Sequence, residues 1–371
     1  MRICLVATEY RGIGPYGGFG VLTHDLAAGL VARGHEVYVA MPRKDGQKPI
    51  EHLGGVTVVS YPSPLYVGIN GVLSYTGLYK TIDADVYHSQ EPSTGTRLAQ
   101  IAEPRKKHIV TFQDPRDLAD WRLEWAPRKL SRAYMWKFYL KYQHTSGRAA
   151  RRAHARYCQA KYITEKVVRL YRLSERPGFL PNPVVVPNES LPKDPRPTVC
   201  YLGRWDPRKR PELFVALAER FPDVHFILAG ACLNDAARDA QIRERCHQAE
   251  NVEMPGWLDA AARARILGRS WILINTSTRE CLPVSYLEAA SHHCAILSHG
   301  NADEFASTFG YHARAGDLED YVSGLTYLLQ EGRWRALGAK GYGYVLNTHE
   351  FENVISQHIA AYERALGTRH G

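Results

Sequence analysis

The apolar residues of this chain come in short strand-length runs that alternate with helix-length ones, and the alternation runs twice. The first series holds strand-like segments at Arg2–Ala7, Glu36–Pro42, Val56–Tyr61, Val86–Ser89, His108–Phe112 and Arg156–Ala160. Helical patterns lie between them, the clearest over Phe19–Arg33 with Gly34 as its stop. A proline-rich segment interrupts, from Arg176-Pro-Gly-Phe-Leu-Pro-Asn-Pro183 through Pro187, Pro192, Pro195 and Pro197. Proline fixes φ and removes a donor, so regular structure stops there. Strand-like runs then resume at Thr198–Gly203, His225–Gly230, Val252–Pro255, Trp271–Asn275 and Ala295–His299. Helices are expected over Pro211–Phe221, Asp235–Gln248, Pro283–His292 and Leu318–Leu329. Strand–helix alternation implies a mostly parallel sheet covered on both faces. Two such series imply two Rossmann-like domains, expected at 1–183 and 184–350 and facing a central cleft.

Composition narrows the class. The 371 residues, 45% hydrophobic and 23% charged, describe a globular protein. No apolar run is long enough to span a bilayer, and Glu9 and Arg11 interrupt the first apolar run too early for a signal peptide. The seven cysteines are scattered without metal-ligand spacing and read as buried thiols in a reducing compartment. A cytoplasmic protein, peripheral at the inner membrane face, is expected.

The net charge of +9 is concentrated between Trp121 and Lys161, where eleven Lys and Arg face one acid, Glu124. Trp121, Trp125, Tyr134, Trp136, Phe138, Tyr139 and Tyr142 are interleaved with them. The stretch Trp121–Arg156 suits an anionic membrane surface or an anionic acceptor. A solvated helix with an aromatic core face fits the same composition. Nucleic acid, which charge alone would admit, is not expected as a partner.

Three motifs carry chemistry. Arg11-Gly-Ile-Gly14-Pro-Tyr-Gly17-Gly18-Phe-Gly20 follows the first strand and opens a helix. Its glycines let a backbone approach phosphate, or make a tight turn. Gly12, Gly14 and Gly17 fit G-x-G-x-x-G, but the second strand ends in Met41-Pro-Arg43-Lys44 and lacks the acid that NAD requires. An NADP-linked oxidoreductase is therefore a remote alternative. Gly203-Arg204-Trp-Asp206-Pro-Arg-Lys209 follows the first strand of the second series and places two cations near a helix start, suited to a diphosphate. Asn275-Thr-Ser-Thr-Arg-Glu280-Cys-Leu-Pro283-Val-Ser-Tyr-Leu-Glu288 puts two carboxylates eight positions apart around a strand-to-helix loop. Pro283 is expected at the first helical position. At that sheet edge α/β folds bind ligands, and each carboxylate could grip sugar hydroxyls beside a phosphate.

Together these residues resemble the GT-B glycosyltransferases of family GT4, the "group 1" retaining transferases. The matches are Gly17-Gly18, Gly203-Arg204 with Lys209, Pro181-Asn182-Pro183 at the junction, and Glu280-x7-Glu288. The resemblance implies transfer of a hexosyl or pentosyl group from a nucleotide-diphosphate sugar, such as a UDP- or GDP-sugar. The acceptor would be a hydroxyl of a glycan or lipid-linked glycan, as in polysaccharide biosynthesis. No metal and no further cofactor would be needed, the nucleotide sugar being a co-substrate. Arg204 and Lys209 would neutralise the departing diphosphate, with Gly203 in the same loop. Glu280 would hold the transferred sugar, and the backbone of Cys281, Leu282 and Pro283 would meet sugar or phosphate. Glu288 would bind the nucleotide ribose, and Gly17 and Gly18 would approach the diphosphate and acceptor. The segment 351–371 would form a helix crossing back to the N-terminal domain.

Two positions depart from the family pattern. Cys281 stands where glycine is common, which would narrow the sugar subsite if φ there were positive. Gln113, in Gln113-Asp114, stands where a histidine is common; it can bond a sugar hydroxyl but carries no charge. His88 is a further polar strand-end residue for sugar or acceptor contact. These departures leave a catalytically silent nucleotide- or glycan-binding relative as the alternative.

Overall fold

The computed structural model describes residues 1–14, 16–62, 69–125, 131–189, 191–232 and 235–367, with backbone alone at 69–74, 137–138 and 141–142. The chain divides into two compact units. The first is Met1–Trp121, Leu130–Pro183 and Phe351–Gly371; the second is Arg122–Lys129 and Val184–Glu350.

In the first unit, strands β1 (Arg2–Val6), β2 (Glu36–Pro42), β3 (Ile50–Leu53), β4 (Val56–Tyr61), β5 (Val86–Ser89), β6 (Lys107–Phe112), β7 (Ala155–Cys158) and β8 (Gly178–Phe179) form one sheet in the order β3-β4-β2-β1-β5-β6-β7-β8. All neighbours are parallel except β3 and β4, an edge hairpin closed by the two-residue Gly54-Gly55 turn. The helices are α1 (Gly18–Ala32), α2 (Ile69–Ile82), α3 (Thr94–Ala102), α4 (Leu118–Trp125, whose residues from Arg122 on count with the second unit), α5 (Arg132–Arg151) and α6 (Thr164–Tyr171). Successive strand residues face opposite ways and both faces are covered, so the strands read as continuous apolar runs. Ile3 and Leu5 pack with Val37, Val39, Val86 and Ile109 beneath α1. Cys4 and Val6 pack on the other face with Tyr75 and Tyr79 of α2 and Leu98 of α3.

In the second unit, β9 (Thr198–Leu202), β10 (His225–Ala229), β11 (Val252–Gly256), β12 (Ile272–Asn275), β13 (Ala295–Ser298) and β14 (Gly310–His312) form a wholly parallel sheet in the order β11-β10-β9-β12-β13-β14. Its helices are α7 (Pro211–Ala218), α8 (Ala236–His247), α9 (Ala260–Arg269), α10 (Val284–Ser291), α11 (Phe305–Phe309), α12 (Leu318–Leu329) and α13 (Arg333–Thr348). Val199, Phe226, Leu228, Ile272 and Leu297 bury one face against Phe214 and Leu217 of α7 and Leu325 of α12.

The final helix, α14 (Phe351–Leu366), belongs to the first unit. Its Ile355 and Tyr362 join the same core as α1 and the strand residues Ile3 and Leu5.

Candidate active site

The strand order of the second unit reverses direction between β9 and β12, because β9 winds outward to β10 and β11 while β12 winds to β13 and β14. Loops leaving the carboxyl ends of two such strands diverge and leave a crevice, the usual ligand site of open α/β sheets. The two motif-bearing loops occupy that position. The β9–α7 loop carries Gly203, Arg204 and Lys209; the β12–α10 loop carries Glu280.

Four links join these loops. Thr276, fully buried, shares its hydroxyl proton between the Lys209 and Arg210 carbonyls at 2.7 and 2.8 Å. Arg210 Nε donates to the Thr276 carbonyl at 2.8 Å, and Thr278 N–H to the Arg208 carbonyl at 2.7 Å. The Lys209 ammonium ion-pairs with the Glu280 carboxylate. Arg210 adopts the left-handed conformation (φ 45°, ψ 54°) and hands the chain to Pro211 at the first turn of α7. Arg204 lies 3.5 Å from Asp206 and remains partly exposed. Arg208 of the same loop pairs with Glu124 in the 122–129 segment of this unit.

Pro283 corrects a sequence expectation. It is the extended residue before α10 (φ −69°, ψ 139°), not its first helical residue. Its carbonyl accepts from Tyr286 N–H at 3.0 Å, so it starts the helix from outside. Leu282 is buried, and no side chain caps α10. The N–H groups that open the helix are therefore not used by a side-chain cap. Glu288, one turn further on, pairs with Arg263 of α9 at 3.1 Å. Cys281 is half-buried and is not among the non-glycine residues with positive φ. The backbone there does not demand glycine.

Gly203 has no such local demand either. A Cβ on it would have the Tyr201 hydroxyl and ring as its nearest neighbours, at 3.4 and 3.5 Å, ordinary contact distances. Gly230, by contrast, is required. Its φ is +140°, and a Cβ would sit 1.9 Å from the Gly203 carbonyl. Gly230 thus lets the next strand's end pass beneath the Arg204 loop.

In the first unit, Gly12 and Gly14 take positive φ (95° and 58°), in a tight turn where Ile13 N–H meets the Tyr10 carbonyl at 3.1 Å. These two glycines serve the turn. Gly17 caps α1, Gly18 begins it, and the Gly17 N–H donates to the Glu9 carboxylate at 2.7 Å.

His88 is not available to a ligand, which corrects the expectation of sugar or acceptor contact. It is wholly buried, with Nδ1 2.8 Å from the Tyr362 hydroxyl and Nε2 2.8 Å from the Thr111 hydroxyl. Burial, and then His358 nearby, hold it well below its usual pKa. A neutral imidazole pins α14 to β5 and β6.

Gln113 is also buried and belongs to a network at the carboxyl ends of β5, β6 and β7. Its amide exchanges hydrogen bonds with Asn182 at 2.8 and 2.9 Å and donates to Gln90 at 3.2 Å. Asn182 also donates to Gln159 at 3.2 Å. One Glu91 oxygen accepts the backbone N–H groups of Gln113 and Asp114 at 2.8 and 2.7 Å. Burial pushes the Glu91 carboxyl up to about 8, against the opposing pull of those amides. Asp114 itself pairs with Arg116 at 2.5 Å. Sequence reasoning missed Glu91, Thr276 and Arg263. Only Asn182 carried a signal, as part of the Pro-Asn-Pro junction.

The aromatic and basic stretch divides. Trp121 and Trp125 are buried, whereas Tyr134, Trp136 and Leu140 of α5 are exposed. Arg128 and Lys129 lie outside the described residues, as do the side chains of Lys137, Phe138, Lys141 and Tyr142. Among the described residues no cluster of three metal-ligating side chains occurs and no helix is long and apolar enough to cross a membrane.

The comparisons with known proteins agree with this architecture. The family model described as Glycosyltransferase Family 4 matches residues 16–186, and that described as Glycosyl transferases group 1 matches residues 186–340. No curated protein matches the sequence. Among solved structures, sucrose-phosphate synthase from Thermosynechococcus elongatus is similar with a TM-score of 0.76 at 15% identity, over 99% of each chain. Anabaena HepE in complex with UDP and glucose is similar with a TM-score of 0.73 at 13% identity, over 98% of this chain and 100% of that one. WaaG, a glycosyltransferase involved in lipopolysaccharide biosynthesis, is similar with a TM-score of 0.70 at 15% identity, over 98% and 100%. At these identities the structures speak for the fold, and the two consecutive family matches speak for the lineage. Built from two parallel-sheet units and matched across residues 16–340, the chain belongs to the group 1 glycosyltransferases of the GT-B fold.

Proposed function

We propose that the protein transfers a hexosyl or pentosyl group from a nucleotide-diphosphate sugar to a hydroxyl of a glycan or lipid-linked acceptor, with retention of configuration and without a divalent metal. The observation that carries this reading is the clamp between the β9–α7 and β12–α10 loops, which sets Lys209 against Glu280 beside Arg204. Arg204 and Lys209 supply the positive charge that a departing diphosphate needs. The backbone N–H groups of Cys281 and Leu282 and those opening α10 after Pro283, which has none to give, supply donors for phosphate or sugar oxygens. Gly203, free of local constraint, leaves room for phosphate against the backbone. Glu280 holds hydroxyls of the transferred sugar, and Glu288 the ribose diol. Acceptor oxygen attacks the anomeric carbon on the face that the diphosphate leaves. The bond from that carbon to the phosphate oxygen breaks, and the departing phosphate takes the acceptor's proton.

The donor we favour is a UDP-sugar, since HepE was solved with UDP and glucose; a GDP-sugar is the competing choice. The exposed Tyr134, Trp136 and Leu140 on a basic helix fit an acceptor presented at an anionic membrane surface. Cys281 lacks the positive φ that would have obstructed the sugar subsite, which removes one motive for a silent relative. The test is turnover of a UDP-sugar with Glu280→Ala and Arg204→Ala, in chelator, with the product's anomeric configuration read by proton NMR. Loss of transfer in folded variants, with retained configuration, supports the reading. Turnover within a few-fold of wild type in both variants, or an inverted product, refutes it.

A further inference from the structure

Arg97, Arg148 and Arg152 come near one another in the first unit, where α3 packs beside α5 through a 2.8 Å bond from the Gln100 amide to the Ala149 carbonyl. Arg148 and Arg152 are exposed, at the last turn and C-cap of α5, where the helix dipole favours cations. Arg97 has no such excuse. It sits in the first turn of α3, as its N–H bond to the Ser93 carbonyl at 3.1 Å shows, and a cation there opposes the dipole. That turn holds no acid, and its Thr96 N–H is taken by the Ser93 hydroxyl in a capping box. Arg97 is half-buried, and its Nη1 is enclosed without any hydrogen-bond partner. None of the three guanidiniums makes an ion pair, a side-chain hydrogen bond or a ring contact with the described residues. Burial, followed by the charges of Arg152 and Arg148, lowers the Arg97 pKa.

An enclosed, unpaired donor and three clustered like charges are each unfavourable. One anion with several oxygens would offset all of them. We propose that Arg97, Arg148 and Arg152, all of the first unit, form a cradle for a dianionic phosphate group. Guanidinium forks match phosphate oxygens, and a dianion with three terminal oxygens can meet three of them at once. The phosphate could be carried by a soluble phosphate or by a phosphomonoester lipid headgroup.

The test uses the full chain in an Arg204→Gln/Lys209→Gln background, which removes both cations of the candidate donor-phosphate loop, and any phosphate response left in the further variants is subtracted as that loop's, so that failure here stays separate from failure of the donor assignment. Inorganic phosphate is titrated at constant ionic strength, with melting temperature and calorimetric affinity as readouts. The expected result is stabilisation by phosphate, with affinity reduced about tenfold or more in Arg97→Gln and in Arg148→Gln/Arg152→Gln. Arg97→Gln should melt no lower than its background when phosphate is absent, since it removes an uncompensated charge. Flotation with phosphatidylcholine vesicles containing phosphatidic acid, against phosphatidylglycerol at equal surface charge, separates the sources. A variant-sensitive preference for phosphatidic acid assigns a headgroup; a variant-sensitive response to phosphate alone assigns a soluble ligand. No response to either probe, or a response equal in both variants, overturns the proposal.

Discussion

Thr276→Val tests the clamp that shapes the candidate donor site. Valine keeps the side-chain volume, so no cavity opens in this fully buried position. What disappears is one hydroxyl proton shared between the Lys209 and Arg210 carbonyls. The Arg210 carbonyl keeps the Leu213 N–H at 3.1 Å, whereas the Lys209 carbonyl keeps only the Tyr201 hydroxyl at 3.5 Å. Leaving one such acceptor nearly bare costs about 1–3 kcal/mol. In a unit of this size about 2 kcal/mol lowers the melting temperature by roughly 4–8 °C. The Lys209 backbone then loses its anchor, and the Lys209–Glu280 pair its placement. Nucleotide-sugar affinity should fall about tenfold, the equivalent of 1.4 kcal/mol. Thr276→Ser keeps the hydroxyl and should retain affinity. The assays are differential scanning calorimetry and titration with UDP-glucose. Wild-type melting together with wild-type affinity in Thr276→Val would refute the argument that this hydroxyl holds the two loops together.

Two further substitutions probe different parts of the chain. Gly230→Ala forces a Cβ into the Gly203 carbonyl and should cost about 3 kcal/mol or more, with loss of donor binding; a variant that melts like wild type would show that the strand end can yield. Glu91→Gln should change the pH dependence of stability. Unfolded glutamate titrates at about 4.3, whereas native Glu91 titrates at about 8. Between those values the native state holds a proton that the unfolded chain has released, so wild-type stability falls as pH rises, by up to about 1.4 kcal/mol per pH unit. The variant lacks that slope. Urea unfolding of both proteins from pH 5 to 8 should give curves that diverge across the window, and parallel curves would sink the reading.

The strands of both sheets were legible because parallel strands buried on two faces are continuous apolar runs with period-two packing, as in His225–Ala229. The edges were not. Ile50–Leu53 is half polar and mostly exposed, and Gly310–His312 is three residues long, so neither carries a periodic signal. The Glu280-x7-Glu288 motif stood out because its spacing is local. The clamp did not, because Thr276 lies 66 and 67 residues from the carbonyls it reaches. Polar residues whose partners are set by tertiary contact were the hardest to place. His88 and Gln113 both end strands in sequence, yet one is spent on Tyr362 and Thr111 and the other on Asn182 and Gln90. Nothing in the local pattern distinguishes such a residue from one aimed at a ligand.

Paired calorimetric titrations test most directly the proposed division of labour between Glu280 and Glu288. UDP and UDP-glucose would each be titrated into wild type, Glu280→Gln and Glu288→Gln. Glu288→Gln should weaken both ligands equally, since each carries the ribose, whereas Glu280→Gln should weaken UDP-glucose and leave UDP unchanged. If Glu280→Gln weakened UDP as much as UDP-glucose, or if wild type bound neither these ligands nor their GDP and ADP counterparts, the assignment of this loop pair to a sugar donor would be contradicted.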